Sequence, residues 1–106
     1  DRERCTFFFP ALVKEGPLTV GISTDGKSPL AASWVRQEIA GMLPESFGEV
    51  INLLGQIRPL VLELVAGEED RKKLFEELFS YCMECLERKK KVTAEELTNL
   101  VKSGSI

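Results

Sequence analysis

The residues of this chain best placed to do chemistry sit close together. They are Ser23, Thr24, Gly26, Lys27 and Ser28, in the run Ser23-Thr24-Asp25-Gly26-Lys27-Ser28-Pro29. Ser28-Pro29 reads as a helix start: serine caps the first turn, and proline is tolerated at the first helical position, where its missing N–H has no partner to lose. Unpaired N–H groups at a helix N-terminus, with a lysine beside them, attract a carboxylate or a phosphate. The plainer alternative is a strand-to-helix connection in which Ser28 only caps the helix. A second short motif, Cys82-Met83-Glu84-Cys85, has the CxxC form. Zinc would need two further ligands, and the chain has no histidine and only Cys5 as another thiol. Cys82 falls on the apolar stripe of its helix, so core packing accounts for it. A redox pair belongs at a helix N-terminus, and these cysteines come late in theirs. Neither a metal site nor a catalytic residue is expected within the chain.

Composition sets the frame for these motifs. With 106 residues, 43% hydrophobic and 29% charged, the chain has the make-up of a small soluble globular domain. A net charge of −3 argues against nucleic acid, which needs a basic face. The basic run at residues 88–91 reads instead as a complement to a helix C-terminus. No apolar run approaches the roughly 20 residues of a membrane span, so no membrane partner is expected. Three cysteines without a secretory signal fit a reducing, cytoplasmic setting. The absence of histidine removes imidazole bases and Ser-His triads. The chain opens on Asp-Arg-Glu-Arg with no initiating Met, and the expectation is a piece of something longer.

The elements that must position the turn follow from periodicity. Residues 5–9, aromatic and bounded by Pro10, read as a strand, and Lys14-Glu15-Gly16-Pro17 as a turn. Phe7 and Phe9 would share one face of that strand. Leu18, Val20 and Ile22 alternate with polar or small residues, which predicts a second strand with one buried face. Two strands alone are marginal and leave edges open, so they are expected to join another sheet, upstream or in a second subunit. A helix follows from Pro29 to about Leu43, with Ala31, Trp34, Val35, Ile39 and Met42 on one side and Pro44 ending it. Ser46 and Glu49 read as a capping box for the next helix, Pro59 as a kink within it, and Gly67 as its stop. Acidic residues 68–70 open a third helix carrying Leu74, Phe75, Leu78, Phe79, Cys82 and Leu86. A second capping box, Thr93 with Glu96, starts the last. The fold class expected is α+β: a short two-stranded segment followed by a mostly helical bundle. The division expected is residues 1–44, strands and first helix, and residues 45–106, a C-terminal helical domain.

Taken as a string, several stretches resemble one family. They are Cys5-Thr6-Phe7-Phe8-Phe9-Pro10-Ala11, then Gly16-Pro17-Leu18-Thr19-Val20-Gly21-Ile22-Ser23-Thr24 and Gly26-Lys27-Ser28-Pro29, with Arg36, Glu38, Leu43-Pro44 and Gly55-Gln56 beyond. Together they look like the precorrin-2 dehydrogenase / sirohydrochlorin ferrochelatase family, the N-terminal region of sirohaem synthases. The resemblance implies a homodimer, with residues 1–44 serving dimerisation and half of a tetrapyrrole pocket. It implies NAD-dependent oxidation of precorrin-2 to sirohydrochlorin, with ferrous iron as a further substrate in members that also chelate. The family's NAD-binding Rossmann fingerprint is not in this chain. Its catalytic aspartate would fall just upstream of Asp1, so this chain alone is expected to be inactive. Ser23, Thr24, Gly26, Lys27 and Ser28 take the substrate-binding positions. Asp25 stands where many members have glycine, and Ser33 where many have arginine. Outside the resemblance, the chain reads as a non-enzymatic helical dimerisation or anion-binding module.

Overall fold

The computed structural model describes residues 11–104, and the chain divides into two compact units, Asp1–Pro44 and Glu45–Ile106. The class is α+β: among the described residues, two antiparallel strands and then four helices. The aromatic stretch at residues 5–9 and Pro10 lies outside the described residues, as do Cys5, Phe7 and Phe9.

In the first unit, strand β1 (Ala11–Glu15) pairs antiparallel with β2 (Leu18–Ile22), from Ala11 opposite Ile22 to Glu15 opposite Leu18. Lys14 and Glu15 therefore belong to a strand, not to the turn their polarity suggested. Only Gly16 and Pro17 lie between the strands. Gly16 supplies the left-handed backbone (φ 57) that so tight a connection requires. Lys14 Nζ donates to Thr19 Oγ1 across the ladder at 3.0 Å. Ala11, Val13 and Ile22 turn inward, and helix α1 (Pro29–Met42) covers them with buried Ala32. Val35, Ile39 and Leu43 extend that face. Trp34 and Met42, expected on the same side, are instead 62% and 73% exposed. The helical period explains the split: Leu30, Trp34 and Met42 recur at four and eight residues along a second stripe, away from the sheet.

The second unit is built from α2 (Phe47–Leu64), α3 (Glu68–Glu87) and α4 (Ala94–Ser103). Its core is one cluster: Val50, Ile57, Val61, Leu78, Cys82, Cys85, Val92 and Leu97, ringed by half-buried side chains such as Leu53, Phe75 and Tyr81. Helix α2 runs on through Pro59. The expected Ser46–Glu49 capping box does not form. Ser46 sits at φ 69, outside the extended conformation that brings a cap hydroxyl over the first amides, and its side chain caps nothing. Its carbonyl accepts from Glu49 N and Val50 N instead. Gly67 does not stop α2, which ends at Leu64, but takes the N-cap position of α3 with its carbonyl accepting from Arg71 N. Arg71 then reaches back, Nε donating to Val65 O at 2.5 Å and Nη2 to Leu62 O at 2.8 Å. One guanidinium thereby satisfies two carbonyls at the C-terminal end of α2, where the helix leaves them without intrahelical donors. Thr93 caps α4 by accepting from Glu96 N at 3.2 Å, and Gly104, left-handed at φ 69, closes it.

Candidate functional site

The turn at residues 23–28 connects β2 to α1 and is held by its own side chains. Thr24 does most of this: its Oγ1 accepts from Ser28 N at 3.1 Å and lies 3.2 Å from Ser28 O, while its carbonyl accepts from Lys27 N at 3.0 Å. Ser23 Oγ accepts from Asp25 N at 3.2 Å. Ser28, with extended backbone, accepts through Oγ from Ala31 N at 3.0 Å and through its carbonyl from Ala32 N at 3.1 Å. All five residues singled out from sequence thus fall in one turn, with Thr24 and Ser28 half-buried and Ser23, Gly26 and Lys27 exposed.

These bonds decide which donors remain. Ser28 occupies the amides of Ala31 and Ala32, Pro29 has none, and no acceptor among the described residues meets the amides of Gly26 and Leu30. Two free N–H groups and the exposed Lys27 therefore lie in the turn that leads into the positive end of a 14-residue helix whose first turn holds no acidic residue. That arrangement suits an anion. Asp25 and Gly26 are both left-handed, at φ 59 and φ 75. This gives the resemblance's glycine at position 25 a physical reason, because glycine enters that conformation without steric cost. Aspartate tolerates it and adds one negative charge beside the donors. Ser33 is half-buried one turn into α1.

The other sequence motifs lie in the second unit. Cys82 and Cys85 are buried, and burial pushes the Cys82 thiol up to about 11. Among the described residues no group of three His, Cys, Asp or Glu side chains is placed to hold a metal, and no helix is long and apolar enough to cross a membrane. Sequence reasoning missed a polar junction there. Tyr81 Oη donates to Glu96 Oε2, and Lys90 Nζ lies 3.6 Å from the same carboxylate. The Tyr81 hydrogen bond, then Lys90, hold the Glu96 carboxyl below the usual carboxylate range, and the same bond with burial raises the Tyr81 phenol. The signal was split: Glu96 was legible only as half of a capping box.

A family model described as "Sirohaem biosynthesis protein central" matches residues 15–42, which run from the end of β1 through the turn to the end of α1. The chain is 31% identical over 80 residues to siroheme synthase of Zymomonas mobilis and 35% identical over 80 residues to siroheme synthase 1 of Yersinia enterocolitica, in each case over 76% of this chain and 17% of that protein. The chain belongs to the sirohaem synthase family. It matches that family's central region and spans 17% of the length of those two curated relatives. Siroheme synthase of Blochmanniella pennsylvanica is similar along the whole chain, at 28% identity over 108 residues. Among solved structures, SirC, a precorrin-2 dehydrogenase, shares the fold with a TM-score of 0.69 at 24% identity, over 91% of this chain and 46% of that one. In this sirohaem synthase central region, the stretch that the family model recognises contains the whole anion-suited turn.

Proposed function

We propose that this chain is the dimerisation and C-terminal part of an enzyme of sirohaem biosynthesis, cytoplasmic, that oxidises precorrin-2 to sirohydrochlorin with NAD. The observation carrying this reading is the turn at residues 23–28, whose free amides and Lys27 lie inside the family-matched stretch. The tetrapyrrole substrate is a polycarboxylate. A turn with two amides and an ammonium offered at a helix N-terminus gives one of its carboxylates two hydrogen bonds and a charge partner. Thr24 and Ser28 act here as positioning residues, since their hydroxyls are engaged in holding the turn. Gly26, Lys27 and the Leu30 amide are the contact groups, and Ser23 fixes Asp25.

The residues present do not fit a dinucleotide. The only strands among those described form an antiparallel hairpin, with no parallel strand–helix–strand crossover to present a phosphate loop. NAD binding therefore falls to another part of the enzyme, and no step through it is derived from this chain. Ferrous iron is read as a substrate of a further chelation step, not as a resident metal.

Homodimerisation belongs to the same reading. The stripe Leu30, Trp34 and Met42, 82%, 62% and 73% exposed, leaves large apolar side chains of α1 outside the four buried residues that form the first unit's cluster among those described. A second copy covering that face would also protect the edges of a two-stranded sheet.

The test uses the full-length protein. Anaerobic, NAD-dependent conversion of precorrin-2 to sirohydrochlorin is expected, with kcat/KM reduced in Thr24→Ala and Ser28→Ala. A folded full-length protein with no turnover and no tetrapyrrole binding would overturn the assignment.

A further inference from the structure

We draw no further inference here: the strongest candidate, the open groove between α2 and α3 lined by Leu62, Phe75 and Phe79, is an unpartnered face, and nothing in the structure shows what covers it.

Discussion

The two units of this chain spend their apolar residues differently. The second gathers eight buried residues from α2, α3, α4 and the segment before α4 into one cluster, with Leu78, Val61, Cys82 and Leu97 fully enclosed. Among the described residues the first buries four, three of them on the strands, and leaves Leu12, Leu30, Trp34 and Met42 outside. A helical unit closes its own core because each helix offers one stripe to the others. A two-stranded sheet with one helix has surface left over. The turn suited to an anion belongs to the unit that leaves these side chains outside, so the proposed site and the proposed assembly surface share one small scaffold.

The largest expected effect tests that self-sufficiency. Leu78→Ala, at a fully buried position, should cost about 2–5 kcal/mol of stability in the second unit, seen as a lower urea midpoint. Equal loss from the same truncation at exposed Leu30 would erase the distinction between the units. Next, Trp34→Ser should shift a dimer toward monomer in light scattering while leaving the helical signal intact, since the indole is 62% exposed. A smaller effect is expected at the α3–α4 junction. Tyr81→Phe removes the donor to Glu96 and should cost about 1 kcal/mol, the usual size for one hydrogen bond. The sign with pH follows from the direction of the Glu96 shift. Its folded carboxyl lies below its unfolded value, so its contribution is complete above the unfolded pKa near 4.3 and is lost as pH falls through the folded one. Acid titration of stability should flatten in Tyr81→Phe. Smallest of all, Asp25→Gly relieves a left-handed aspartate and should change stability by under about 1 kcal/mol while strengthening anion binding, because one carboxylate leaves the turn.

Much of this organisation was legible in the sequence, and the failures have identifiable causes. Ser28-Pro29, the alternation through Val20 and Ile22, and the acidic start of α3 each carry a local signal that tertiary structure did not override. The strand at residues 11–15 was misjudged because Lys14 and Glu15 are polar; on a two-stranded sheet their side chains meet solvent and a partner threonine. Trp34 and Met42 were put inside because hydrophobicity alone does not say which of two stripes faces the sheet. Ser46 failed as a cap for a conformational reason, φ 69, that its identity does not reveal. Gly67 was read as an end when it was a beginning, since glycine serves both positions. The turn's residues were found, but which amides stay free could be seen only once Thr24 and Ser28 were placed.

The most direct test of the central claim is the affinity of full-length protein for sirohydrochlorin, measured for the wild type and for Lys27→Gln. Lys27 is exposed and its side chain holds nothing within the turn, so the substitution removes a charge without disturbing the fold. Affinity about three- to tenfold weaker, the scale of one charge-assisted contact at a helix N-terminus, is the predicted result. Affinity unchanged by the loss of Lys27 would contradict the account and leave the turn a connection between a strand and a helix.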